Sequence, residues 1–152
     1  MASIDSIVKE AVSKNGKERD KLLPVLQEIV KTQNYLSEDI MKTVAKHFNI
    51  SSAEVYGVAT FYSFIDVSRQ GENVIRICKT ISCDLKGKAE IIKAIENKLR
   101  IRLGETTPDQ KFTFLSTNCI GWCHKSPAML INDKVYTDLT PESAIQAIEQ
   151  WM

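Results

Sequence analysis

The hydrophobic pattern of this chain changes period once, after the segment DVSRQGEN (66–73), and this change restricts the fold more than any other feature. Before this segment, apolar residues recur every three or four positions, which is typical of amphipathic helices. The segment VIRIC (74–78) then alternates and is rich in β-branched residues, which predicts a strand. The sequence therefore predicts two domains, a helical one over residues 1–68 and a mixed α/β one over residues 69–152.

The helical part carries several helix-start signals. Pro24 suits the first turn of a helix, Ser37 is a good N-cap, and Ser51 with Glu54 has the spacing of a capping box. The apolar run TFYSF (60–64) continues the helical pattern, so we expect it to pack in the core. Four short helices joined by brief polar links predict a four-helix bundle.

The second part predicts the order strand, helix, strand, strand, strand, helix. The corresponding segments are VIRIC (74–78), KGKAEIIKAIENKLRI (86–101), FTFLST (112–117), AMLIN (128–132), KVYTD (134–138) and a closing helix from Thr140. Strands joined through a helix are parallel in a right-handed crossover, so the first two strands should be parallel neighbours. This is an α/β unit built on one sheet.

Four cysteines follow two of these strands. Cys78 ends the first strand and Cys83 lies in the next loop, whereas Cys119 and Cys123 follow the second long strand. The carboxyl ends of parallel strands meet at one edge of a sheet, where α/β folds hold ligands. We expect all four thiols to converge there.

The rest of the sequence indicates where the protein is located and which ligands it does not bind. The N-terminal stretch MASIDSIVKEAVSKNG is polar and helical rather than a secretory signal, and no apolar run reaches membrane-spanning length, so we expect a cytoplasmic protein without membrane insertion. Twenty basic and nineteen acidic residues leave little net charge to attract nucleic acid. The sequence also lacks the glycine-rich loop of a nucleotide site.

Three chemistries could use four such cysteines. Disulfides are disfavoured in a reducing compartment. A zinc ion accepts four thiolates, usually from tighter knuckles, and would make the chain a zinc-stabilised interaction module without a redox role. An iron–sulfur cluster also takes four thiolates, and a gap of four residues, as between Cys78 and Cys83, is one of its recurring spacings.

The cysteine pattern and its surroundings resemble a known family. Cys78-x4-Cys83 and Cys119-x3-Cys123, together with LLPVLQEIVKTQNYLSEDIMKTVAKHFNISSAEVYGVATFYSF, GETTPDQKFTF and CIGWCHKSPAMLIND, are similar to thioredoxin-like [2Fe-2S] ferredoxins. That family includes the 24 kDa subunit of complex I and the small subunits of NAD(P)-linked, often electron-bifurcating, [FeFe] hydrogenases and formate dehydrogenases. The chain departs from the common pattern at Gln110, Trp122 and Ser126, but retains every cysteine of the motif.

The resemblance implies a cofactor, a role and partners. It implies a [2Fe-2S] cluster held by Cys78, Cys83, Cys119 and Cys123 in a thioredoxin-like α/β domain. The chain would be an electron-transfer subunit, not catalytic by itself, within an NAD(P)(H)-dependent oxidoreductase complex. Its partners would be a larger flavoprotein subunit with FMN and the NAD(P)(H) site, and further iron–sulfur or hydrogenase subunits. The helical domain would then serve for docking.

Residues beside the cysteines are candidates for secondary roles. Gly121 is expected to take a positive φ in the tight turn between Cys119 and Cys123. Trp122 could shield a centre or pack in the protein, and Lys79, His124 and Lys125 could tune its potential or simply be exposed loop residues.

Overall fold

The computed structural model describes residues 3–152, so Met1 and Ala2 of the predicted helical domain lie outside the described residues. The chain folds into two compact units, one ending at Arg69 and the other spanning Gln70–Met152. Helices and one sheet are both present, which confirms the predicted mixed class. Within residues 3–152, no helix has both the length and the apolar character needed to cross a membrane.

The first unit is helical. Its α-helices are α1 (Ile4–Asn15), α2 (Leu22–Gln33), α3 (Glu38–Phe48) and α4 (Ser52–Phe61), with a 3-10 turn at Arg19–Lys21. Ser37 caps α3 by accepting a hydrogen bond from the Ile40 amide. Ser51 and Glu54 form the predicted capping box of α4, each side chain bonding to the other's backbone N–H.

These helices share one apolar core. Its most deeply buried members are Val8, Val25, Leu26, Ile29, Leu36, Val44, Val55 and Ala59. They come from all four helices and from the α2–α3 link, so burial of these side chains joins the helices into one folded unit.

The end of α4 contradicts the expectation that TFYSF (60–64) packs in the core. Phe61 is 80% exposed, and Tyr62 and Phe64 are also exposed. The buried face of α4 is formed by Val55 and Ala59, and Phe61 lies away from it because the helix turns about 100° per residue. Tyr62 would return to that face, but it leaves the helix with φ −96° and ψ 117°.

The second unit is built on a four-stranded sheet in the order β2-β1-β3-β4. Its elements in chain order are β1 (Asn73–Cys78), α5 (Ile81–Asp84), α6 (Lys88–Leu99), β2 (Phe112–Thr117), a 3-10 turn (Cys123–Lys125), β3 (Met129–Ile131), β4 (Lys134–Tyr136) and α7 (Pro141–Glu149). β1 and β2 are parallel, as predicted, whereas β3 is antiparallel to β1 and β4.

One face of this sheet packs against α6 and α7. The buried cluster on that face comprises Ile75, Ile77, Phe112, Phe114, Met129 and Ile131 from the strands with Ile91, Ile95, Ala144 and Ile148 from the helices. Side chains alternate between the two faces of a strand, so Cys78 and its register partner Thr117 both lie on the opposite face.

Candidate metal centre

The backbone brings the two cysteine-bearing loops to one edge of the sheet. Cys78 is the last residue of β1, and Cys83 lies within the short helix α5 that follows. Cys119 follows β2 by two residues, and Cys123 opens a 3-10 turn. Because β1 and β2 are parallel, both loops leave the sheet at the carboxyl ends of these strands.

The four thiols fall into two pairs. The Sγ atoms of Cys119 and Cys123 lie 3.2 Å apart. The thiols of Cys78 and Cys83 are close enough to shift each other's pKa, that of Cys78 downward and that of Cys83 upward. Their electrostatic influence also reaches Cys123, so the two pairs are neighbours. Cys78 and Cys83 are buried, whereas Cys119 and Cys123 are exposed, and all four are free cysteines.

The turn between Cys119 and Cys123 has the predicted geometry. Gly121 has a φ of +87°, a conformation that side-chain-bearing residues rarely adopt. Its amide points at Cys119, with 3.4 Å between the nitrogen and Sγ. Gly121 therefore closes the turn and supplies a donor to sulfur.

Further donors surround the buried pair. The Thr80 hydroxyl lies 3.1 Å from Cys78 Sγ. The backbone amides of Ile120 and Ala128 act to lower the pKa of Cys78 and of Cys83, respectively, so these amides lie near the two thiols. Nothing in the sequence indicates the amide donors, but Thr80 could have been noticed as a hydroxyl between two cysteines.

These contacts shift the pKa values of the thiols in different directions. Burial acts to raise the pKa of Cys78, but hydrogen bonds from Thr80, Cys83 and the Ile120 amide outweigh it and lower that pKa. Burial raises the pKa of Cys83. The hydrogen bond with Cys119 raises the pKa of Cys123, as do its charge and those of the other two cysteines. Without a nearby cation, simultaneous deprotonation of all four thiols is therefore unfavourable.

The other residues beside the cysteines are exposed. Lys79, His124 and Lys125 all lie at the surface. Trp122 is partly exposed, and its ring stacks on that of His124 with centroids 5.6 Å apart. In this structure Trp122 therefore lies at the surface of the site rather than in a core.

The donor set fits a cluster with two irons. Among the described residues 3–152, no three His, Cys, Asp or Glu side chains are arranged around the position of a single metal ion. A [2Fe-2S] cluster takes four thiolates, and the chain supplies four free cysteines, in two pairs, at one edge of the sheet.

Comparison with protein families decides the class. The family model for thioredoxin-like [2Fe-2S] ferredoxins matches residues 8–152. The chain belongs to this family. The predicted family is thus confirmed, as is its [2Fe-2S] cofactor, and nothing supports the alternative of a zinc-stabilised module.

Individual members extend this assignment. The chain is 39% identical over 129 residues to an NADH-quinone oxidoreductase subunit of Buchnera aphidicola, covering 85% of the chain and 80% of that protein. It is 40% identical over 131 residues to the mitochondrial NADH dehydrogenase [ubiquinone] flavoprotein 2 of Dictyostelium discoideum, covering 85% of the chain and 53% of that protein.

A solved structure shares the fold. An NAD+-reducing [NiFe]-hydrogenase in the air-oxidized state matches 86% of this ferredoxin with a TM-score of 0.74 and 21% identity. The match occupies 22% of the hydrogenase chain, so this ferredoxin spans about a fifth of that protein's length. At this identity the likeness concerns the fold.

Proposed function

We propose that this ferredoxin is an electron-transfer subunit of a multi-subunit NAD(P)(H)-dependent oxidoreductase, holding one [2Fe-2S] cluster on Cys78, Cys83, Cys119 and Cys123. The observation that carries the proposal is the convergence of two thiol pairs at the carboxyl ends of β1 and β2 in a chain of this family. Each pair would bind one iron, Cys78 with Cys83 and Cys119 with Cys123.

Such ligation determines the kind of chemistry. Cys78, Cys83, Cys119 and Cys123 would fill the protein-ligand positions of a two-iron cluster, so no position would be left for a substrate. A bound cluster would supply one-electron transfer, and the chain by itself would catalyse no reaction. The amides and hydroxyl aimed at the cysteines stabilise negative charge on sulfur, so they favour the reduced cluster.

The surrounding complex is inferred from the relatives. Two of them are named as components of NADH-quinone oxidoreductase or NADH dehydrogenase, at 39% and 40% identity. The partner we propose is a larger flavoprotein subunit with FMN and the NAD(P)(H) site, accompanied by further iron–sulfur or hydrogenase subunits. A cytoplasmic location is part of the same proposal.

The helical unit, which we regard as a four-helix bundle, is proposed to dock on the flavoprotein. Phe61, Tyr62 and Phe64 are exposed although they are aromatic, and the rings of Phe61 and Tyr62 meet edge to face with centroids 5.1 Å apart. Phe61 and Tyr62 also line a groove of about 470 Å³ whose walls include Leu23 and Val58. Exposed aromatic clusters of this kind are enriched at protein interfaces.

The test is a metal and sulfide analysis with a visible spectrum on the full chain purified without oxygen, before and after dithionite. We expect two irons and two sulfides per chain and a brown colour that bleaches on reduction. Cys123→Ala should lose the cluster, whereas His124→Ala, the neighbouring control, should keep it. One zinc in a colourless preparation that accepts no cluster on reconstitution would refute the electron-transfer role.

A further inference from the structure

One buried hydroxyl in the sheet is left without a hydrogen bond. Thr117, the last residue of β2, is only 3% exposed, and its Oγ1 finds no partner among residues 3–152. Its backbone carbonyl, in contrast, accepts a hydrogen bond from Lys79 N–H at 2.9 Å. A buried hydroxyl without a hydrogen-bond partner destabilises the folded state, so a ligand that would supply the partner is expected nearby.

The register of the sheet places this hydroxyl beside the metal centre. Thr117 is paired with Cys78 across the parallel strands, so the two side chains project from the same face of adjacent strands. Cys119 follows two residues later. The unpartnered hydroxyl is therefore next to one cysteine on the neighbouring strand and two residues before another in the loop that follows β2.

We propose that Thr117 is a positioning residue that donates its hydroxyl proton to a sulfur atom of the [2Fe-2S] cluster. The inference rests on the proposed function, because it requires a cluster at these cysteines. Sulfur is a hydrogen-bond acceptor, and its negative charge grows when the cluster takes an electron. A donor at this position stabilises the reduced state more than the oxidised state and so raises the reduction potential.

The chain already places one threonine hydroxyl against the sulfur of Cys78. The Thr80 hydroxyl lies 3.1 Å from Cys78 Sγ, so Thr80 is an observed hydroxyl–sulfur contact at the same cysteine. Thr117 would add a second hydroxyl from the opposite strand. Thr80→Val thus provides a positive reference for the size of a hydroxyl effect.

The decisive variant is Thr117→Val, which replaces the hydroxyl with a methyl group of similar shape. In the cluster-loaded full chain, we expect the reduction equilibrium constant to fall about three- to tenfold, tenfold being about 59 mV for one electron. Thr117→Ser keeps the donor and should retain the wild-type potential. Ser116→Ala is the matched control, because Ser116 is exposed and projects from the other face of the same strand.

Measurements on the metal-free full chain give an independent check. If the hydroxyl has no partner in the polypeptide, Thr117→Val should leave the thermal midpoint unchanged or raise it, because a buried unsatisfied group is removed. A clear loss of stability in the metal-free variant would show that the hydroxyl bonds within the protein, and would overturn the inference.

Spectroelectrochemistry on the loaded proteins completes the test. A lower potential in Thr117→Val, with Thr117→Ser and Ser116→Ala at the wild-type value, supports the hydrogen bond to the cluster. A wild-type potential in Thr117→Val, while Thr80→Val shifts, overturns it and leaves the proposed function intact. A wild-type chain that holds no iron refutes the proposed function, and this inference with it.

Discussion

Phe61 provides the sharpest test of how this ferredoxin joins a complex. Phe61 is 80% exposed at the end of α4, so Phe61→Ala removes little buried surface from the helical unit. Exposed substitutions of this kind usually change the free energy of unfolding by less than about 0.5 kcal/mol. The variant should therefore fold as the wild type does.

Binding should respond very differently if α4 docks on the flavoprotein subunit. A phenylalanine buries roughly 150–250 Å² when it is fully covered. The 80% exposure of Phe61 then corresponds to ~120–200 Å², or ~3–5 kcal/mol at about 25 cal/mol per Å². Association recovers only part of this, so we expect a loss of about 2–4 kcal/mol, which is ~30- to ~800-fold in Kd.

The assay is titration calorimetry of the cluster-loaded full chain against its flavoprotein subunit, with thermal unfolding of each variant alongside. Leu85→Ala is the matched control, because Leu85 is also 80% exposed but lies beside the cysteines in the second unit. Wild-type affinity in Phe61→Ala together with a large loss in Leu85→Ala would refute docking through the helical unit and assign it to the cluster-bearing unit.

Three further predictions concern stability. Gly57 lies in the exposed middle of α4 with nothing within 4 Å of the position that a Cβ would take, so Gly57→Ala should raise the free energy of unfolding by about 1 kcal/mol. At Gly71 an added Cβ would lie 2.9 Å from the Phe112 carbonyl carbon, so Gly71→Ala should lower the free energy of unfolding by about 1–3 kcal/mol. Denaturant titrations followed by circular dichroism and by tryptophan fluorescence check both signs, and equal effects at the two glycines would contradict the steric argument. The pKa of Glu54 is lowered by its hydrogen bond from the Ser51 backbone and by Arg19, so the helical unit should keep this stabilisation above the ordinary glutamate pKa and lose it as the pH falls through the lowered one. Glu54→Gln should flatten that acid limb of the stability profile, and an unchanged slope would show that the capping box carries no measurable charge effect.

The elements and the placement of the cysteines could be predicted because each depends on local patterns. The capping box at Ser51 and Glu54 depends only on which residues occupy the N-cap and the third helical position, so four consecutive residues are enough to predict it. The convergence of Cys78 and Cys119 follows from the alternation of strand and helix, since parallel strands end at the same edge. The positive φ of Gly121 follows from the short gap between two cysteines.

Other features depend on contacts that no local pattern reveals. The exposure of Phe61 depends on where α4 stops and on how Tyr62 turns the chain away. The amides of Ile120 and Ala128 reach sulfur through loop geometry, and every residue type carries the same amide apart from proline. The unpartnered hydroxyl of Thr117 became visible only once the strand register and the burial were known.

The division of the cysteines between two strands also bears on how the protein matures. Cys119 and Cys123 are close in sequence and need only the turn at Gly121 to meet, whereas the two thiol pairs are joined through strand pairing between residues about forty positions apart. Non-local parallel pairing is among the slower events of folding. Two thiols can thus bind iron early in folding. All four meet only after β1 and β2 have paired, so we expect cluster insertion to follow completion of the sheet.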